Sequence, residues 1–376
     1  MRIGVPSEVK SDEYRVSLTP AGVRELVVRG HEVIVQSGAG AGSRIDDRDY
    51  ERQGARIVSD AETVWDGAEM IVKVKEPQRS ELPYLRAEQT LFTYLHLAAD
   101  SELARLLCES GATCMAYETV EDSEGRLPLL APMSEVAGKV ATHAGASALH
   151  APAGGRGLVL GGVAGVSPAT VVVIGGGVVG ENAARVAIGM GAKVTILDRS
   201  LARLRDLAAL FDGRAETLYA STLALEQVLG GADLVIGAVL VRGARAPHVI
   251  RGSDLAGMKP GAVIVDVSID QGGCFETSRP TTHSDPVYEI DGIQHYCVAN
   301  IPGAVPVTST YALTNATLPF VLDLAEVGVE RAVRTDAGLR HGLNVLAGQV
   351  VNPVVAEAVG MEPVALDAAL DRRSVS

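Results

Sequence analysis

The stretch Val171-Val-Val-Ile-Gly-Gly-Gly-Val-Val-Gly180 decides the fold. Val171–Ile174 is a β-branched apolar run, which reads as a buried strand. Gly175, Gly177 and Gly180 follow it with the spacing G-x-G-x-x-G. An Ala-rich helical run continues to about Met190, and Lys193-Val-Thr-Ile-Leu-Asp198 reads as a second strand ending in an acid. Strand, glycine turn, helix, strand and acid, in that order, make a dinucleotide-binding unit. The glycines permit a tight turn, close approach of a pyrophosphate and close helix–strand packing. The helix N-terminus offers free N–H groups and partial positive charge to the phosphates. Asp198 is expected to accept hydrogen bonds from the adenine ribose and to repel a 2′-phosphate, so NAD is expected over NADP. Arg199 and Arg203, just beyond it, work against that preference. The competing reading is a glycine turn inside an ordinary α/β core.

Outward from this unit, apolar strands alternate with helical patterns, which implies parallel sheets. On the N-terminal side, strands are expected at Arg2–Val5, Glu32–Val35, Met70–Val74, Thr90–Tyr94 and Thr113–Ala116, with helices at Pro20–Arg29 and Ser101–Ser110. Met133–His150 reads as one long helix joining two domains. Beyond it, strands are expected at Thr170–Ile174, Lys193–Asp198, Glu216–Tyr219, Leu234–Gly237, Ala262–Val267 and Gln294–Val298, then a helix at Tyr311–Leu324. The expected fold is α/β, with two Rossmann-like doubly wound domains and a cleft between them. Residues 131–306 would form the nucleotide domain. Residues 1–130 and 307–376 would form a discontinuous substrate domain.

The 376 residues suffice for two cores. A net charge of −13 argues against non-specific nucleic-acid binding, which needs a basic surface. Cys108, Cys114, Cys274 and Cys297 show no C-x-x-C spacing, and read as free thiols of a reducing cytosol. The N-terminus lacks a signal-peptide core. Gly157–Gly180 is long enough to span a membrane, but its glycines and Ser167-Pro168 favour a strand and turn. A cytoplasmic protein without membrane partners is expected.

Ligands of open α/β sheets bind outside the carboxyl ends of the strands. Arg15, Lys75, His96 and Asp270 fall at or shortly after such ends. An arginine holds a carboxylate through two parallel hydrogen bonds. A lysine ammonium stabilises charge on a carbonyl oxygen, and a histidine moves protons near neutral pH. Together they suit an amino-acid or keto-acid substrate. Singly, each has a plainer reading as a solvated loop residue, a half-buried histidine or a cap. The run Glu8, Lys10, Asp12 and Glu13 reads as a solvated loop.

These residues resemble a known family. Arg2-Ile-Gly-Val-Pro-Ser-Glu-Val-Lys10, Glu13-Tyr-Arg-Val16 and Leu18-Thr-Pro20 are similar to the N-terminal signature of the alanine dehydrogenases, which the NAD-binding subunit of proton-translocating transhydrogenase shares. Val74-Lys-Glu-Pro77, Thr93-Tyr-Leu-His-Leu-Ala98, Ala131-Pro-Met-Ser-Glu-Val-Ala137, Val267-Ser-Ile-Asp-Gln-Gly-Gly273 and Val298-Ala-Asn-Ile-Pro-Gly-Ala304 resemble it in register. The resemblance implies a homohexameric enzyme that converts L-alanine, NAD and water to pyruvate, ammonium and NADH. It implies that Arg15 binds the substrate carboxylate and Lys75 its carbonyl oxygen, with His96 as general acid/base and Asp270 as a second catalytic group. It implies NAD contacts from Ser134, Asp198, Arg203, Val239, Leu240, Val267, Ser268, Ile269, Asp270, Arg279, Val298, Ala299, Asn300 and Ile301. Three departures stand out. Ala220 occupies the place of a common serine contact, which the neighbouring Ser221 would replace. Asp323 is present where some members bind magnesium, but Val327 replaces the accompanying histidine, so no metal is expected. Arg199 directly follows the acid. Two readings compete with the enzyme: a transhydrogenase subunit that passes hydride to another protein, and a non-catalytic NAD-binding regulator.

Overall fold

The computed structural model describes residues 1–239 and 246–373. Its strands are β1 (Arg2–Val5), β2 (Glu32–Gln36), β3 (Arg56–Val58), β4 (Met70–Val72), β5 (Thr90–Thr93), β6 (Thr113–Ala116), β7 (Thr170–Ile174), β8 (Lys193–Asp198), β9 (Ala215–Tyr219), β10 (Leu234–Gly237), β11 (Val263–Asp266), β12 (Val287–Ile290), β13 (Ile293–Tyr296), β14 (Leu343–Leu346) and β15 (Gln349–Val350). The chain forms two compact units, Met1–Met133 with Val305–Ser376, and Ser134–Ala304.

The first unit holds a sheet of order β3-β2-β1-β4-β5-β6-β14-β15. β1 to β6 are parallel, β14 runs antiparallel to β6, and β15 pairs antiparallel with β14. The order 3-2-1-4-5-6 reverses between β1 and β4, which opens a crevice at the carboxyl ends of those strands. Ile71, Leu91 and Cys114 turn one way, into a cluster with Trp65, Leu103, Leu107 and Val355. Three strands of this unit lie outside the sequence expectation. β3 is a three-residue edge, too short for an alternation signal. β14 and β15 form a hairpin beyond the expected Tyr311–Leu324 helix, in a stretch with no expected element, turning at Ala347 and Gly348, both at positive φ.

The second unit holds β9-β8-β7-β10-β11-β13-β12, with β12 alone antiparallel. Its six parallel strands, β9-β8-β7-β10-β11-β13, repeat the order 3-2-1-4-5-6, reversing between β7 and β10. Val171 and Val173 pack on one face, Val172 and Ile174 on the other. That two-sided burial explains why the run is continuously apolar. The hairpin β12–β13 turns at Asp291-Gly292, both at positive φ. Asp-Gly is a hairpin signal that the sequence does carry.

The expected linking helix occupies Ala131–Ala148. The expected Tyr311–Leu324 helix is part of a longer one, Pro306–Thr335, interrupted at Gly328 with φ 75°. By length and composition alone this helix could cross a membrane. One side of it, with Leu313, Val321, Leu324, Val329 and Val333, is buried against the first unit's own residues, as in an amphipathic helix. Gly157–Gly180 is not helical up to Gly177 and contains β7 and the glycine turn.

Candidate active site

At the carboxyl end of β7 the three glycines do three different things. Gly175 sits at φ 97°, and a Cβ there would meet the Ala238 carbonyl oxygen at 2.5 Å. Gly180 lies in the first turn of helix Val178–Gly189, and its Cβ would fall 1.8 Å from the Gly175 carbonyl oxygen. Gly177 has φ −65°, and a Cβ there would meet nothing within 4 Å. Gly177 therefore serves neither turn nor packing. It keeps open the space before a helix N-terminus that no side chain caps, as close approach of a phosphate requires.

Asp198, at the end of β8, closes over this turn. One carboxylate oxygen accepts from Gly176 N–H at 2.7 Å and the other from Ser200 N–H at 2.7 Å. Arg203 braces the turn, its Nε donating to the Gly176 carbonyl at 2.6 Å and Nη2 pairing with Glu181 at 2.5 Å. Ser221 caps helix Thr222–Leu229 through Ala224 N–H at 3.2 Å. Val239 follows β10 and accepts the Ser268 hydroxyl at 2.7 Å. Leu240 lies outside the described residues.

Beyond β11, Val267, Ser268, Ile269 and Asp270 form a loop that one buried acid organises. Asp266 receives the N–H groups of Ser268, Cys274 and Phe275 and the Ser278 hydroxyl, at 2.9, 2.9, 3.3 and 2.6 Å. Burial raises its carboxyl above the ordinary range, against the pull of these bonds. Asp270 is exposed at the loop's crest. Val298, Ala299, Asn300 and Ile301 follow β13, with Asn300 at φ 61° and its carbonyl against His283 Nε2 at 3.2 Å. The Arg279 guanidinium lies 4.0 Å from the Tyr288 ring centroid. Ser134 is half-buried near the start of helix Ala131–Ala148. Most of the expected nucleotide contacts thus share one end of the second sheet.

In the first unit, Arg15, Lys75 and His96 follow β1, β4 and β5, three adjacent strands at the order reversal. Arg15 is buried against Glu13, Nε donating at 2.7 Å and Nη2 at 2.5 Å. Burial alone would lower the guanidinium, but Glu13 more than compensates and keeps it charged. Lys75 is buried, its carbonyl accepting the Thr93 hydroxyl at 2.9 Å. His96 is half-buried, with its ring stacked on Tyr94, centroids 5.6 Å apart and planes at 12°. The Tyr94 hydroxyl donates to the Leu129 carbonyl at 2.6 Å. Glu76 binds Lys10. Burial pushes the Glu76 carboxyl up, but Lys75 and Lys10, aided by His96, hold it below the ordinary carboxylate range. Glu76 thus sits within the electrostatic reach of both Lys75 and His96, and Tyr94 within that of Arg15.

The N-terminal charge run is not a solvated loop. The side chains of Glu8 and Glu13 are buried, Lys10 pairs with Glu76, and Asp12 is half-buried. Glu8 joins Lys73 and Glu81 in a buried triad, Lys73 Nζ lying 3.0 and 2.8 Å from the two carboxylates. Glu8 also accepts Val74 N–H at 2.6 Å, which fixes the turn carrying Lys75. Sequence reasoning missed Glu8, Glu13, Lys73, Glu118 and Asp266. The only sequence signal was a lysine and acids set among apolar strand ends, where a charge needs a partner. Among the described residues no group of three or more His, Cys, Asp or Glu could hold a metal ion.

A glycine turn of this geometry, an acid on the next strand and this strand order define a dinucleotide-binding α/β protein, with a second unit that presents Arg, Lys and His at its own strand ends. The chain belongs to the alanine dehydrogenase/PNT family: residues 4–137 match the family's N-terminal domain and residues 141–353 its C-terminal domain. It is 58% identical to the alanine dehydrogenase of Halomonas elongata over 362 residues, covering 96% of this chain and 98% of that one. It is 54% identical to that of Mycobacterium tuberculosis H37Rv, covering 96% and 97%, and 51% identical to that of Bacillus subtilis, covering 100% and 99%. Among solved structures it is similar to an L-alanine dehydrogenase at TM-score 0.92 and 49% identity, covering 96% of this chain and 99% of that one. A transhydrogenase from Sinorhizobium meliloti matches at TM-score 0.80 and 25% identity, covering 94% and 99%. The alanine dehydrogenase matches on both measures better than the transhydrogenase.

Proposed function

We propose that this chain catalyses the NAD-dependent, reversible oxidative deamination of L-alanine to pyruvate and ammonium. The observation that carries the reading is the placement of Arg15, Lys75 and His96 after three adjacent strands at the reversal of a doubly wound sheet. The relatives named above support it. Bound NAD supplies the acceptor for the hydride that leaves the substrate α-carbon. Its binding rests on the open approach at Gly177 and on Asp198, whose carboxylate disfavours a 2′-phosphate.

The chain's own groups have distinct tasks in this reading. Arg15 is the group for the substrate carboxylate, its guanidinium oriented by Glu13 through Nε and Nη2 and by Met133 Sδ, which accepts from Nη1 at 3.0 Å. Lys75 donates to the oxygen at C2 and stabilises charge developing there. His96 takes a proton from the water that adds to the substrate iminium, and returns one when the carbinolamine releases ammonia. Asp270 is read as a second catalytic polar group.

Oxidation of NADH by pyruvate and ammonium tests the assignment directly, with glyoxylate and 2-oxobutyrate defining the pocket. Turnover with pyruvate is expected, and His96→Ala should lose it by about a hundredfold or more while still binding NADH. A chain that binds NADH yet turns over none of these acids would sink the proposal.

A further inference from the structure

We infer that Glu118 is a positioning residue that sets the backbone conformation of His96. The inference rests on the reading of His96 as the general acid/base. The backbone N–H of Tyr94 makes the last bond between the β5 segment and its neighbour, to the Val74 carbonyl at 3.2 Å. The next two N–H groups turn instead to a carboxylate. Glu118, in the turn after β6, accepts His96 N–H at 2.6 Å, and both its oxygens lie 3.2 Å from Leu95 N.

This pairing coincides with an uncommon backbone. His96 has φ 51° and ψ 33°, the left-handed region that a residue with a Cβ seldom adopts. Charge-assisted bonds to consecutive N–H groups favour that geometry. Glu118 therefore fixes the direction of the Cα–Cβ bond, and Tyr94 fixes the ring by stacking. Without the carboxylate, residues 95 and 96 can relax to a right-handed turn, and the imidazole swings away from the substrate. Glu118 touches neither substrate nor cofactor in this scheme and acts through His96.

The test compares Glu118→Ala and Glu118→Gln with His96→Ala and the double variant. Glu118→Ala should lower kcat by about 10- to 100-fold while the Kd for NADH stays unchanged, as expected when a reacting group is misplaced. Glu118→Gln keeps an oxygen acceptor and should recover most of that loss. Glu118→Ala added to His96→Ala should slow turnover no further, because both act through one group. The inference is overturned if Glu118→Ala turns over like the parent, if Glu118→Gln is as slow as Glu118→Ala, or if the losses multiply in the double variant. Near-parental turnover by His96→Ala alone would instead remove the acid/base reading beneath it.

Discussion

The two units share a strand order but present their strand ends by opposite means. In the second, the turn after the first strand is built from Gly175, Gly176 and Gly177, with no side chain capping the helix that follows. In the first, the corresponding turn begins Pro6-Ser7-Glu8, and a buried carboxylate stands near the place of the glycines. A negative charge there is hostile to a pyrophosphate, whereas bare backbone N–H groups invite one. The first unit instead buries acid–base pairs, Glu13 with Arg15 and Glu8 with Lys73 and Glu81. Such pairs contribute little net stability, but they hold long side chains and loop backbone in one arrangement. One sheet order thus supports a backbone-lined site and a side-chain-lined site. The difference lies in what occupies the first crossover.

Three substitutions probe this contrast, in decreasing order of effect. Glu13→Ala leaves the buried Arg15 guanidinium without its bidentate partner, and should destabilise the first unit by about 3–5 kcal/mol in chemical denaturation. A loss below about 1 kcal/mol would mean that the pair is exchangeable with water. In the second unit, Gly180→Ala forces a Cβ to 1.8 Å from the Gly175 carbonyl and should cost about 3 kcal/mol together with NADH affinity. Gly177→Ala, into open space, should spare thermal stability and weaken NADH in a fluorescence titration. Equal effects of the two substitutions on stability would erase the distinction between packing and access.

The smallest effect concerns pH. Burial raises the Glu8 carboxyl above its ordinary value of 4.5, with Lys73 pulling the other way. A raised carboxyl takes up a proton on folding, so its contribution is fully present below 4.5 and is lost as pH rises through the folded-state value. Replacing it by a neutral residue removes that slope. The stability of the parent relative to Glu8→Gln should therefore decline as pH rises from 4.5, measured as the difference in Tm. A parent that gains on the variant over that range would show that Lys73 dominates.

The nucleotide half of the fold was legible because its signals are short-range. Val171–Ile174, the spacing Gly175-x-Gly177-x-x-Gly180 and the acid at Asp198 all fall within 28 residues and keep their meaning in any α/β sheet. Arg15, Lys75 and His96 were legible as strand-end residues, and the family resemblance supplied their proposed roles. The errors came from local pattern competing with tertiary pairing. The hairpin β14–β15 carries no strong strand propensity, and exists because β6 offers an edge for β14 to join. The run Glu8–Glu13 looks solvated because charge normally is, and only burial against Lys73 and Arg15 inverts that expectation.

By itself, then, the sequence determined the alternation of strands and helices, the glycine turn and the acid at Asp198, since each follows from local backbone sterics and two-sided burial. Tertiary structure alone decided which carboxylate meets which partner. Glu8 reaches Lys73 across 65 positions, and Glu118 reaches the His96 N–H across 22. No periodicity encodes such pairs. They form because neighbouring strand ends leave buried N–H and ammonium donors that need an acceptor, and the sheet order determines whose acid is at hand.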